Sequence, residues 1–118
     1  MKKAATQHPL GLELKARLGG RDGVGRVRLS DDSMKAARVR KGDIVRVQLD
    51  APPKQRRLCV AFTSWGELVV RRFYRKANGD IRLSTGAKGE TFQVFHHDAV
   101  MIFGPVVGVE KRGGPCKN

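Results

Sequence analysis

Short apolar runs separated by clusters of glycine, proline and charged residues dominate this chain. Runs of that length fit strands and fall short of the ten or more residues an amphipathic helix needs. The clearest is Ile44 to Leu49, entered through the tight turn Lys41-Gly42-Asp43. Leu58 to Thr63, Leu68 to Tyr74 and Ile81 to Leu83 predict three consecutive antiparallel strands. The first two are joined through Ser64 to Glu67, and the last two through Ala77-Asn78-Gly79-Asp80, where Asn-Gly is a strong hairpin signal. Ala51-Pro52-Pro53-Lys54 reads as a loop, because proline has no amide to give a sheet. A polar stretch from Ser84 to Glu90 precedes a strand over Thr91 to Phe95, and Val100 to Val109 is a long last run interrupted by Gly104-Pro105.

Towards the amino end, Leu10, Leu12, Leu14, Ala16 and Leu18 occupy alternate positions, which predicts a half-buried strand. The glycines between Gly19 and Gly23 turn it into a return strand, Val24 to Leu29. After Ser33-Met34 a short Lys-Ala-Ala-Arg piece suffices for one helical turn. Six to eight short strands with glycine-rich turns imply an all-β fold, a curled and mostly antiparallel sheet or a partly open barrel. The expected organisation is an arm with a first strand over 1–23, one β domain over 24–112 and a disordered tail over 113–118.

A length of 118 residues suits one hydrophobic core. No apolar run approaches the eighteen or so residues that span a bilayer, and Met1-Lys2-Lys3-Ala4-Ala5 leads to His8-Pro9 rather than to an apolar signal core, so a cytoplasmic protein without a membrane partner is expected. Cys59 lies in an apolar run and Cys116 among Gly, Pro and Lys, which suggests two reduced thiols.

Charge changes the picture more. Lys and Arg number 24 against 11 Asp and Glu, a net charge of +13 that attracts phosphate backbones or acidic protein surfaces. Candidate binding residues are Arg38, Arg40, Lys41, Arg56, Arg57, Arg72, Arg75 and Lys76; the plainer reading is a solvated basic surface. Trp65, Phe73, Tyr74, Phe92 and Phe95 are few and scattered, which favours core packing over a base-stacking platform. His96-His97-Asp98 contains metal-ligand types, but adjacent histidines on a strand point to opposite faces, so a solvated loop is expected, with no metal and no cofactor.

Three landmarks recur in order. Ser30-Asp31-Asp32-Ser33-Met34 is followed by Lys41-Gly42-Asp43 and an apolar strand. Glu67-Leu68-Val69-Val70-Arg71-Arg72-Phe73 precedes the Asn-Gly hairpin and Ile81-Arg82-Leu83. Ile102-Phe103-Gly104-Pro105-Val106-Val107-Gly108-Val109 closes the chain. Together they resemble the catalytic domain shared by LexA, UmuD and phage repressors, a self-cleaving serine peptidase family, over about three quarters of the chain. The resemblance implies the LexA/signal-peptidase-like fold and a setting in transcription regulation or the SOS response. It places Ser33 at the nucleophile and Arg71 where the family has its general-base lysine. Ile102, Phe103, Val106, Val107 and Val109 would lie on the strand through which such domains pair as homodimers.

A serine hydroxyl needs a base, and a lysine serves once burial leaves it neutral. A guanidinium does not: releasing its proton at pH 7 costs roughly 8 kcal/mol from the arginine reference value. Lys76, five residues on, falls on the opposite face of an unbroken strand, and Lys35 points away from Ser33 if the helical turn forms. The chain also has Asp31 where the family usually has glycine, Ser84-Thr85-Gly86 near the place of the usual Pro-Glu-Asn, and neither an Ala-Gly nor a Cys-Gly bond upstream of Ser33. Residues 1–9 are too short for a helix-turn-helix. Three readings follow: an inactive regulatory binding or dimerisation module that meets DNA, RNA or an acidic protein of a polymerase or repressor complex; an active Ser-Lys peptidase using Ser33; and a nucleic-acid-binding β-barrel unrelated to LexA.

Overall fold

The computed structural model describes residues 9–19, 22–64, 66–86 and 93–111, with Pro9 and Lys35 by backbone alone. Within them one helix, α1 (Pro9–Leu18), precedes seven strands: β1 (Val24–Arg28), β2 (Ile44–Gln48), β3 (Leu58–Thr63), β4 (Leu68–Arg75), β5 (Ile81–Ser84), β6 (Gln93–Phe95) and β7 (Val100–Glu110). Single 3-10 turns occupy Lys35–Ala37 and His97–Ala99. The strands form an open, wholly antiparallel sheet in the order β1-β2-β7-β3-β4-β5-β6. The all-β expectation and the three consecutive strands β3, β4 and β5 hold. Residues 87–92, 112–118 and Trp65 lie outside the described residues, and with them the start of the strand expected from Thr91 and the expected tail.

The strand expected over Leu10 to Leu18 is instead α1. Leu10, Leu14 and Leu18 are spaced by four, a spacing that satisfies both a period of two and a helical stripe, so alternation alone cannot separate the two. Packing decides: Gly11 is buried against the Phe62 ring, and Leu14 and Leu18 rest on the core, while Leu12 is left half exposed. Pro9 suits a first helical position, Lys15 and Arg17 sit favourably in the last turn, and Glu13 pairs with Arg17 one turn on. The return strand β1 therefore pairs with β2 rather than with the amino-terminal segment.

Two cores lie on the two faces of the sheet. Phe62, Phe103, Met34, Val45, Val47, Val60 and Val70 form the core beneath α1, with Phe62 and Phe103 stacked at 6.4 Å between centroids. Phe73, Ile81, Leu83, Phe95 and Val100 form the core on the other face of the β3–β6 half, together with Cys59 and Ala61. Burial of Cys59 pushes its thiol up to about 12, so it is held as an inert thiol.

β7 joins the halves. Val100 to Pro105 pair with β3, Val106 to Glu110 pair with β2, and the register shifts in both ladders near the change of partner. Pro105, which has no amide, sits at this handover. Beyond it, the side of β7 facing away from β2 has no strand partner among the described residues.

The turn before β2 is held by Asp43, 3% exposed, whose carboxylate accepts the Arg40 amide at 2.9 Å and the Lys111 ammonium at 3.2 Å. Leu29 donates its amide to the Asp43 carbonyl, so the same residue ties down the end of β1 and the Ser33 segment that follows. Asp43→Ala is expected to cost about 2–3 kcal/mol, the range for a buried charge-assisted hydrogen bond, read as a lower urea midpoint at unchanged m-value.

Candidate active-site cleft and basic surface

The chain between β1 and the first 3-10 turn carries Ser33 to the side of β4 that β5 does not reach, since β5 pairs only with Arg72 to Arg75. A pocket of about 120 Å³ opens there, walled by Val27 to Ser30 on one side and by Glu67 to Arg71 on the other, with Ser33 and Met34 at its base. Met34 is buried in the core and anchors the segment.

Ser33 and Arg71, 38 positions apart in sequence, meet in this pocket. Arg71 Nη1 donates to Ser33 Oγ at 3.2 Å and to the carbonyl of Val70 at 2.8 Å. Asp31 completes the group by accepting the Ser33 amide at 3.0 Å. That amide and then the Ser33 hydroxyl hold the Asp31 carboxyl below its ordinary value of 3.8; burial opposes them, and the Arg71 charge adds a lesser lowering. Neighbours of the hydroxyl are thus a guanidinium that donates to it and a carboxylate made a weaker base than usual.

The sign of the Asp31 shift sets a pH dependence. Because the folded value lies below the unfolded one, any stability it contributes is present above about pH 3.9 and is lost as pH falls through the lower folded value. A carbon-detected NMR titration should place the Asp31 midpoint below 3.8, and Ser33→Ala, which removes the hydroxyl, should move it upward. A native midpoint at or above 3.8 would overturn this arrangement.

Lys76 lies exposed beyond the end of β4, away from Ser33; the side chain of Lys35 lies outside the described residues. Asp31, in the position where the resemblance expects glycine, presents a carboxylate that takes up the Ser33 amide.

The eight candidate binding residues do not form one patch. Arg38, Arg40 and Lys41 flank the turn into β2, where Lys111 donates to the Arg38 carbonyl. Arg56 and Arg57 precede β3 and bond through their backbones to Phe73 of β4, and Arg72 Nη1 donates to the Arg56 carbonyl at 2.8 Å. Arg75 lies over the Phe73 ring at 5.4 Å. Of the five residues assigned to dimerisation, Val107 is 53% exposed, whereas Ile102, Val106 and Val109 are half-buried against the two cores. Phe103 is fully buried in the core beneath α1.

The histidine pair lies exposed at the turn that follows β6. His97 begins a 3-10 turn instead of continuing β6, so the rings lie side by side, 4.3 Å between centroids, rather than on opposite faces. Donor atoms of His96, His97 and Asp98 fall within 4.8 Å of one another, all exposed, and His96 Nδ1 accepts the Asp98 amide at 3.2 Å. They could hold a divalent metal only at the surface, with that nitrogen already engaged.

An open antiparallel β fold whose cleft sets a serine against a cation on the neighbouring strand is the architecture of a serine-peptidase-type domain. Residues 6–107 match the family described as Peptidase S24-like, and the chain belongs to that family. It is 33% identical over 96 residues to the LexA repressor of Exiguobacterium sp. (strain ATCC BAA-1283 / AT1b), a match covering 81% of this chain and 45% of that protein. The chain thus spans less than half the length of the relative. The reading as a β-barrel unrelated to LexA is overturned by these matches. Among the described residues no helix is long and apolar enough to cross a membrane.

Proposed function

We propose that this chain is a LexA/UmuD-like domain that does not cleave peptides and serves as a regulatory binding or dimerisation module in transcription or the DNA-damage response. The observation that carries the reading is the environment of Ser33 Oγ. Its hydrogen-bond partner across the cleft is the guanidinium of Arg71, and the nearby carboxylate of Asp31 is weakened as a base. Neither group takes a proton from serine at neutral pH.

The regulatory setting is supported by family membership and by the relative's name as a repressor. Contact with nucleic acid or a nucleic-acid-processing complex is supported by the net charge of +13. Pairing of two copies is supported by the open side of β7 beyond Pro105 and by exposed Val107; light scattering after gel filtration tests it, and a monomer at all concentrations removes it.

The cleft is tested by incubating the protein and Ser33→Ala with a fluorophosphonate between pH 7 and 10 and reading intact mass. No Ser33-dependent adduct and no self-cleavage are expected. Ser33-dependent acylation would overturn the proposal in favour of an active peptidase.

A further inference from the structure

Alternation along β4 sends Val69, Phe73 and Arg75 to the side of the Phe73–Leu83 core, and Val70, Arg72 and Tyr74 to the opposite side. Cross-strand register extends that side: Tyr74 faces Arg82 of β5, Arg82 faces Val94 of β6, and Arg72 faces buried Ser84. The result is a row Tyr74-Arg82-Val94 beside Arg72, at the end of the sheet away from β1, against which α1 packs. Val94 is 49% exposed. The Arg82 guanidinium lies 4.3 Å from the centre of the Tyr74 ring.

The surroundings are strongly and unevenly charged. Residues 54–82 hold eight Lys and Arg against two acidic residues, Glu67 and Asp80. Among the described residues no carboxylate lies within 4.0 Å of Lys54, Arg56, Arg57, Arg72 or Lys76, whereas Lys15, Arg17, Arg26 and Lys111 all have acidic partners. Cations left without counter-charges around a flat face suit a polyanion.

We infer that the face of β4, β5 and β6 carrying Tyr74, Arg82 and Val94 binds single-stranded nucleic acid, with Arg72 and the flanking Arg56 and Lys76 on phosphates and the Tyr74–Arg82 pair as a platform for one unpaired base. Bases stack on aromatic rings and on guanidinium planes alike, and the half-exposed Tyr74–Arg82 pair beside exposed Val94 leaves an edge that a splayed-out base can reach. A duplex keeps its bases stacked inside, so Tyr74 would add nothing to its binding. This deepens the nucleic-acid part of the proposed function and is independent of the chemistry of Ser33.

The test is fluorescence anisotropy with a labelled oligo-dT, an oligo-rU and a duplex of equal length, from 25 to about 200 mM salt, a range over which phosphate-driven binding weakens steeply. Both single strands should bind more tightly than the duplex. Arg72→Ala should weaken them and reduce the slope of log affinity against log salt by about 0.7, the value for one single-strand phosphate. Tyr74→Ala should weaken them about tenfold at an unchanged salt slope, and Tyr74→Phe, which keeps the ring and the fold, should bind as the native chain does. No binding at low salt, equal binding of duplex, or indifference to Tyr74→Ala would each overturn the inference. Retention of an acidic protein in place of the oligonucleotides would assign the charge to a protein partner and overturn it as well.

Discussion

Gly104→Ala is expected to destabilise the protein by roughly 3 kcal/mol or more, at the upper end for single substitutions. Gly104 has φ +155° and sits where β7 passes from β3 to β2; a Cβ there would lie 1.9 Å from the carbonyl oxygen of Gln48 and 2.9 Å from its carbon. Both are backbone atoms of the end of β2, so no rotamer change relieves the clash. The chain crossing itself has to open, and with it the contact between the two halves of the sheet. Gly79 is the control. It has φ +91° in the β4–β5 hairpin with nothing within 4 Å of its Cβ position, so Gly79→Ala meets backbone strain alone, about 1–2 kcal/mol. Urea unfolding of both variants measures the difference. A Gly104→Ala protein no weaker than Gly79→Ala would show that the two backbones do not approach this closely.

Arg71→Lys combined with Asp31→Gly is expected to confer Ser33-dependent acylation on a protein that otherwise has none. The first change offers an amine beside Ser33 Oγ, where Arg71 Nη1 now lies at 3.2 Å. The second removes the carboxylate that accepts the Ser33 amide and would otherwise pair with the new ammonium and keep it protonated. Positioned general bases contribute typically ~10²–10⁴ in rate, so the doubly substituted protein should react with fluorophosphonate at least about a hundredfold faster than Arg71→Lys with Asp31 retained. Its rate should rise with pH as the lysine loses its proton. An equal rate in the two proteins would show that Asp31 has no part in silencing the serine. An adduct that survives Ser33→Ala would show that the reaction is elsewhere.

Much of the architecture was legible because β periodicity is local. Strands β2 to β5 follow from runs such as IVRVQ and LCVAFT, bounded by Gly42, the 52–53 prolines and Asn78-Gly79, each a signal carried by neighbours in sequence. The pairing of Ser33 with Arg71 was legible for another reason: the ordered landmarks shared with the LexA family imply both positions. The helix α1 was not, since Leu10, Leu14 and Leu18 fit both periods and only Phe62, brought in from β3, chooses between them.

By itself, then, the sequence determined the strand-rich core, the excess of positive charge and the chemistry of Ser33 and Arg71, all of which are properties of residue types and short spacings. Tertiary structure alone decided that Phe103 is sealed beneath α1, and that Tyr74, Arg82 and Val94 share one face. These depend on register between strands and on which face of a curled sheet is covered. Both are set by packing among residues distant in the chain, which no local pattern records.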